Sequence, residues 1–445
     1  VTNAPPLAAE ARRLHIAGNP DGARRALERL VADVTGLVPF DLAVNADEYS
    51  LNSLNGTVRL SDGASYFFKF HSEEGEESTI AEYYNAELLR RSGYVVDVPM
   101  YACGEPGRQI LLYGLRSDAR LADACRSLEL GESRYDAERV IAAQIDHDRT
   151  VAARMIESLH AASPDEVAAE PIHQLFWNRL VSPDAAPGTP EAVPGFGGRV
   201  ARFYVGRSTT LGSPTGQVTV DWDTLRDARW VVNGVEYRHS LRELFAEAGR
   251  RLRPESLAAS GAVVAHGDEH NANVWFEDRG GEPARLVSFD PAFAGPHLPA
   301  LLADVKATFH NVFAHPFWLY EPGLAAERYA VHARIDEVGR IVVDTDFAPS
   351  ALRLAFRDSK AENVWRPLLE ALRSAGMLPE DWERMVRLAL FCCPTLVLDL
   401  RADGTGAHNA ASSALGFGIA IAAGSAPVDP DAVDAFTPLF AALRP

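Results

Sequence analysis

A chain of 445 residues, 47% hydrophobic and 23% charged, has material for a large buried core and for two or three subdomains of ordinary size. Its formal net charge of −18 argues against a general nucleic-acid or anionic-membrane binder, because both need basic surfaces. Cys103, Cys125, Cys392 and Cys393 lack zinc spacing and read as inert buried thiols. Val1–Pro6 shows no secretory leader, and the apolar runs 388–400 and 414–423 fall short of the roughly 18 residues that span a bilayer, so a cytoplasmic protein is expected.

Two helical patterns, 7–17 and 21–34, make up an N-terminal helical extension over residues 1–40, the second opening after Pro20. From 41 to 116 strand-like runs dominate, with one helix. Asn52-Ser53-Leu54-Asn55-Gly56 interrupts two of these runs with small polar residues, as a loop over phosphates would, although such segments commonly just turn the chain. An Asp62-Gly63 turn then leads into the strand Ser65–Phe70, which carries Lys69. Of 43 basic residues only Lys69, Lys306 and Lys360 are lysine, and Lys69 is the sole one in the first 300 positions. A compact ammonium is kept here against a strong arginine bias, and arginine's planar fork is no substitute for it. Residues 78–92 read as a helix with Ile80, Tyr84 and Leu88 at spacings of four. Its Glu82 and Glu87 are candidate partners for Lys69, and Glu82 also fits a capping box with Thr79. Gln109–Leu115 is an apolar strand.

Beyond 117 helical patterns prevail, at 149–161, 241–251, 299–313, 365–375 and 382–391, with a Pro/Gly-rich loop at 182–190. Strands around 217–220 and 230–237 and a hairpin over 328–346 mark additional segments, about 165–240 and 320–445, where substrate selection is expected. Their tryptophans Trp177, Trp222 and Trp230 read first as core.

The densest signal is His266-Gly267-Asp268-Glu269-His270-Asn271-Ala272-Asn273, followed by Ser288-Phe289-Asp290. An Asp, four residues, an Asn, and a second Asp 22 residues after the first is the spacing by which kinases place a catalytic base and two magnesium ligands. Val274–Phe276 and Arg285–Phe289 flank the turn residues Asp278–Pro283, so a hairpin would return Asp290 toward Asn273, and hard oxygen donors of this kind suit Mg2+.

This constellation resembles the Brenner motif of the aminoglycoside phosphotransferase and choline kinase superfamily, relatives of the protein kinases. The resemblance covers about 41–310. It implies an α+β, protein-kinase-like two-lobe fold: a small sheet lobe with one helix at 41–116, and a large, mainly helical lobe at 117–445 with its catalytic loop at about 264–290. It further implies ATP and Mg2+ as cofactors and transfer of the γ-phosphate to a hydroxyl of a small molecule, a sugar or aminoglycoside-like polyol being favoured. Asp268 would orient and deprotonate the acceptor, and Asn273 and Asp290 would hold Mg2+. Lys69 paired with Glu82 would hold the phosphates under Asn52, Ser53, Asn55 and Gly56. Backbone groups near Tyr113 and Leu115 would bond adenine, His266 would brace the loop, and Asp304 would bond back to it. One alternative is a catalytically silent or AMP-transferring kinase-like protein. Another is a metallohydrolase using His266, His270, Asp268 and Asp290, which requires a helix through the poor helix formers Gly267 and Asn271. Neither a nucleic-acid nor a membrane partner is expected, and the oligomeric state is not legible.

Overall fold

The computed structural model describes residues 6–45, 53–71, 77–132, 134–181, 196–314 and 317–444. The chain divides into two compact units, residues 1–119 with 287–292, and residues 120–286 with 293–445.

In the first unit two helices, α1 (Leu7–Ile16) and α2 (Pro20–Thr35), precede strands β1 (Pro39–Val44), β2 (Ser53–Leu60) and β3 (Ser65–His71), helix α3 (Glu77–Arg91), and strands β4 (Tyr101–Cys103) and β5 (Ile110–Gly114). The strands form one antiparallel sheet in the order β1-β2-β3-β5-β4. Helix α2 starts where Asn19 accepts the Gly22 N–H and Pro20 occupies the first turn, and it ends at Gly36 in the left-handed conformation. Its buried Leu27, Leu30 and Val31 join Leu7 of α1 and Val58, Leu60, Phe68 and Leu112 of the sheet in a single apolar core. The N-terminal helices are therefore packed on the sheet and share its core.

The second unit is mainly helical, opening with α4 (Leu121–Glu129) and α5 (Ala137–Glu157). At its centre lie helices Trp382–Val397 and Ala410–Gly424, each with buried residues around nearly the whole circumference. A four-stranded sheet joins two distant parts of the sequence: Trp230–Val232 runs parallel to Ile341–Val343, with Val235–Glu236 and Val331–Ile335 on the outer edges. Trp230 and Trp222 are buried in this unit, and the Trp177 indole donates to the Gly249 carbonyl, so the aromatic residues of the 165–240 segment belong to the core. Among the described residues no helix is long and apolar enough to cross a membrane.

Candidate active site

Within the first unit, Lys69 lies opposite Asn55 and Leu111 in the sheet, and its ammonium sits 2.9 Å from Glu82 Oε2 and 2.7 Å from Asp290 Oδ1. Glu87 faces the other way, toward Arg90 and Arg91. The buried stripe of α3 is Glu82, Ala86 and Leu89, whereas Tyr84 is 64% exposed. The stripe expected at 80, 84 and 88 is thus displaced, and Glu82 points inward because it occupies a core-facing position. The Tyr113 hydroxyl donates to Glu82 Oε1 at 2.6 Å, which leaves Oε2 for the lysine. Burial opposes a charge on Lys69, but Asp290 and Glu82 outweigh it and hold its pKa above the ordinary value. Burial and the neighbouring Glu82 carboxylate raise the Tyr113 phenol well above its usual range, so it stays a donor.

Asp290 has φ +57°, a left-handed backbone conformation that costs a non-glycine residue about 1 kcal/mol or more. Its flanks are tied down on both sides. The Ser288 N–H donates to the Val95 carbonyl at 2.9 Å, the Asp97 N–H donates to the Ser288 carbonyl at 2.8 Å, and the Asn85 amide donates to the Pro291 carbonyl at 3.0 Å. Arg116 in turn grips the Asp97 carboxylate. The Asp290 side chain remains 38% exposed, open to a further ligand.

Two sequence expectations for this unit change. Ser53, Asn55 and Gly56 are strand residues of β2, and no loop is formed there; Asn52 lies outside the described residues. Gly56 is explained by packing, because a Cβ there would stand 2.0 Å from the Ala43 carbonyl oxygen and 2.7 Å from the Phe68 ring. The second change concerns the strand end. Leu115 donates its N–H to the Ser65 carbonyl at 3.0 Å, and Tyr113 pairs with Phe67 two residues earlier, so the backbone groups of both turn toward β3. Those of Gly114 turn away from β3, so at this strand end Gly114 is the residue whose backbone groups β3 does not take up. Tyr113 contributes its hydroxyl.

In the second unit, strand Ala262–Ala265 delivers the catalytic-loop motif. Gly267 has φ +79°, and a Cβ there would meet the Phe293 carbonyl oxygen at 2.7 Å, so only glycine fits the turn. His266 Nδ1 accepts the Asp268 N–H at 3.4 Å, and the Asn273 amide donates to the Asp268 carbonyl at 2.9 Å. The loop is therefore closed by its own ends, with the Asn273 amide oxygen left for another partner. Behind it, Asn271 N–H donates to the Asn311 side chain, and the Asn311 backbone carbonyl accepts from Arg353, which is paired with Glu129 of α4 at 2.8 Å.

Asp268 Oδ1 is buried without a hydrogen-bond partner among the described residues. Around it stand Lys306 Nζ and His270 Nε2, each 3.7 Å away. His270 stacks on His310 with centroids 4.9 Å apart, and His310 accepts from Lys306 at 3.0 Å while its other nitrogen bonds the Tyr320 hydroxyl. Burial and the adjacent Lys306 push the His310 pKa well below the ordinary value. His266 and His270 are thus engaged separately and do not converge, and among the described residues no group of three or more His, Cys, Asp or Glu side chains could hold a metal ion.

Asp304 neither reaches this loop nor lies on the surface. It is buried, accepting from Lys360 at 2.8 Å and from Thr308 at 2.8 Å. Sequence reasoning missed the contacts of Tyr113, Asn85 and Lys306. For Lys306 a signal existed: lysine is so rare in this chain that each one marks a site where arginine does not serve.

Neither a family model nor a curated protein sequence matches the chain. Solved structures similar to it include a macrolide 2'-phosphotransferase from Brachybacterium faecium, at 16% identity over 83% of this chain and 89% of that one, with a TM-score of 0.36. A spectinomycin phosphotransferase in complex with ADP and spectinomycin is 12% identical over 90% and 98% of the two chains, TM-score 0.38. An ethanolamine kinase from Plasmodium vivax is 11% identical over 94% and 93%, TM-score 0.39. At such identities and scores these likenesses carry no conclusion about this chain.

Proposed function

We propose that this protein is an ATP-dependent phosphotransferase of the aminoglycoside phosphotransferase and choline kinase type, moving the γ-phosphate of ATP to an alcohol group of a small molecule. The observation that carries the reading is the Lys69 ammonium held between Glu82 and Asp290, a lysine–glutamate pair of the kind that kinases use on the phosphates, joined to the carboxylate that the motif spacing nominates as a metal ligand. Asp290 and Asn273 are the residues that would hold magnesium, each offering an oxygen of the hard kind it takes: a partly exposed carboxylate and an amide whose nitrogen is already committed. When bound, Mg2+ would neutralise charge on the donor phosphates.

The chain's own residues have defined tasks in this reading. Lys69, kept cationic and positioned by Glu82 and Tyr113, binds the α and β phosphates. Asp268, with one oxygen unpaired, accepts the hydrogen bond of the acceptor hydroxyl and aligns it with the γ phosphorus, taking the proton as the bond to phosphorus forms. His266 and Asn273 hold that carboxylate in place through the loop backbone.

The test is ADP release by the purified protein with Mg-ATP over panels of sugars, aminoglycosides, amino alcohols and hydroxy acids, with product mass separating phosphate from AMP transfer. Asp268→Asn is expected to lower turnover by at least about a thousandfold while leaving Mg-ATP binding near wild type. Undiminished turnover in that variant overturns the assignment, and failure of Mg-ATP to raise the melting temperature removes the nucleotide reading altogether.

A further inference from the structure

Two nitrogen donors approach Asp268 and stop short of it. Lys306 Nζ and His270 Nε2 each stand 3.7 Å from Asp268 Oδ1, beyond hydrogen-bond length, and that oxygen is buried without a hydrogen-bond partner among the described residues. His270 accepts the Ala272 N–H through Nδ1, so Nε2 is the nitrogen that carries hydrogen toward the carboxylate. Other buried ion pairs of this unit are closed: Lys360 comes to 2.9 Å from Asp148 and 2.8 Å from Asp304, and Arg353 to 2.8 Å from Glu129. The Lys306 and Asp268 side chains are 6% and 13% exposed, and two opposite charges so far out of water gain most by direct contact. The gap between them therefore needs a cause.

The cause lies in the turn that carries Lys306. The α-helical turn Val305–Thr308 passes directly into the π-helical turn Phe309–Phe313, and across this junction Lys306 donates to His310 Nε2 at 3.0 Å. His310 is itself held on two sides: its Nδ1 bonds the Tyr320 hydroxyl, and its ring stacks on His270 with centroids 4.9 Å apart. Burial, then the adjacent Lys306, keeps this imidazole neutral, so it accepts an N–H of the ammonium without competing for its charge. An ammonium carries three N–H groups, and among the described residues His310 is the one partner within hydrogen-bond length. His310 thus holds Lys306 back from Asp268 and leaves it donors to spend in the gap.

We propose that the acceptor oxygen occupies this gap, accepting a hydrogen bond from Lys306 Nζ while its own O–H donates to Asp268 Oδ1, which makes Lys306 a catalytic residue. Two groups 3.7 Å apart can share one oxygen that lies beside the line joining them, at about 2.8 Å from each. The inference rests on the phosphotransfer reading of the same loop and adds to it a cation at the nucleophile. In the step, a lone pair of the alcohol oxygen forms the bond to the γ phosphorus of ATP. The bond from that phosphorus to the β–γ bridging oxygen breaks, its electron pair leaving on ADP, and the hydroxyl proton passes to Asp268 Oδ1. Lys306 keeps its protons throughout, and its N–H offsets the negative charge on the acceptor oxygen as the proton leaves, where burial strengthens the interaction. A compact ammonium points N–H groups in three directions and can serve His310 and this oxygen together, which accounts for a lysine in a chain that uses arginine almost everywhere.

A crystal structure of the nucleotide-free protein tests the geometry independently of catalysis. A water is expected within about 3.2 Å of both Lys306 Nζ and Asp268 Oδ1, and direct contact of the two side chains with no oxygen between them overturns the proposal. The chemistry is read from ADP release from Mg-ATP, with water alone and with the best alcohol of the panels above as acceptor. Lys306→Met is expected to lower the rate at least about a hundredfold, and Lys306→Gln, which keeps an N–H without the charge, by less, while Mg-ATP affinity by calorimetry changes less than about twofold. In Lys306→Ala, added ethylammonium is expected to raise the rate at least about tenfold, a response that a packing role would not give. A methionine variant within about threefold of wild type overturns the proposal, as does a folded alanine variant that gains nothing from ethylammonium. Mg-ATP binding weakened about tenfold or more also overturns it, by assigning the ammonium to the donor phosphates. Should the alanine variant not fold, equal rates in the glutamine and methionine variants decide against it. Wild type that releases no ADP with any acceptor ends the phosphotransfer reading and this step with it, whereas direct Lys306–Asp268 contact in an active enzyme ends this step alone.

Discussion

Each unit holds one lysine clamped between two carboxylates, and the two clamps differ in what the carboxylates can still do. In the first, Lys69 bridges Glu82 and Asp290, and the Asp290 side chain is 38% exposed. In the second, Lys360 bridges Asp148 and Asp304 at 2.9 and 2.8 Å, and none of the three side chains exceeds 3% exposure. Gln144 and Ser359 complete the shell of Asp148, and Thr308 that of Asp304. The chemistry is the same and the access is not. A closed clamp fixes the second unit, joining α5 to the segment that carries Asp304, whereas the open clamp leaves part of the Asp290 side chain accessible to solvent.

The largest effect should come from the closed clamp. Lys360→Met leaves two aspartates buried without a cation, which is expected to cost about 3 to 5 kcal/mol and to lower the melting temperature sharply, as read by calorimetry. A variant as stable as wild type would show that Asp148 and Asp304 take up protons at no cost, and would remove the distinction between the clamps. Lys69→Met should reverse the balance. Asp290 can be hydrated and Tyr113 still serves Glu82, so a loss of about 1 to 2 kcal/mol is expected, while phosphoryl transfer falls by about a hundredfold or more. Unchanged ATP affinity and rate in this variant would dismiss Lys69 as a phosphate ligand.

How far these clamps could be foreseen follows from the distances they span in sequence. The candidate catalytic loop could be nominated from sequence because its Asp, Asn and second Asp fall within one strand–turn–strand segment, where spacing alone carries the signal. The pairing of Lys69 with Glu82 was legible too, since both lie in one short β–α stretch. Asn55 and Gly56 were misread as loop because small polar residues look alike whether they turn a chain or let two strands approach, and only the Phe68 ring over Gly56 separates the cases. The approach of Lys306 to Asp268 and the parallel pairing of 230–232 with 341–343 are products of long-range packing, which no local pattern records. The helix expected over 299–313 is in fact a turn, one α-helical turn at Val305–Thr308 and a π-helical turn at Phe309–Phe313, an irregularity that sets Lys306 and His310 against Asp268.

A smaller effect would sharpen the account of the open clamp. Tyr113→Phe removes the donor to Glu82 Oε1 and leaves the ring, so stability should fall by about 1 kcal/mol. If the hydroxyl serves to hold Glu82 for Lys69, the KM for ATP rises a few fold while the KM for the acceptor does not change. A matching rise in both would place Tyr113 in general packing only.

A last contrast is a buried carboxylate that has no lysine at all. Glu170 accepts the His297 N–H at 2.8 Å through one oxygen, and its other oxygen is buried without a partner, so burial lifts its pKa from 4.5 to about 7. Because the folded value is the higher one, the stability Glu170 contributes is complete below about pH 4.5 and is lost as pH rises through about 7. Glu170→Gln removes that titration. Between those two pH values the stability of the variant relative to wild type should therefore rise by about 3 kcal/mol, read from denaturant midpoints at each pH. A difference that stays constant with pH would mean that Glu170 is ionised in the fold at no cost, and a lysine would then not be what makes a buried carboxylate tolerable in this chain.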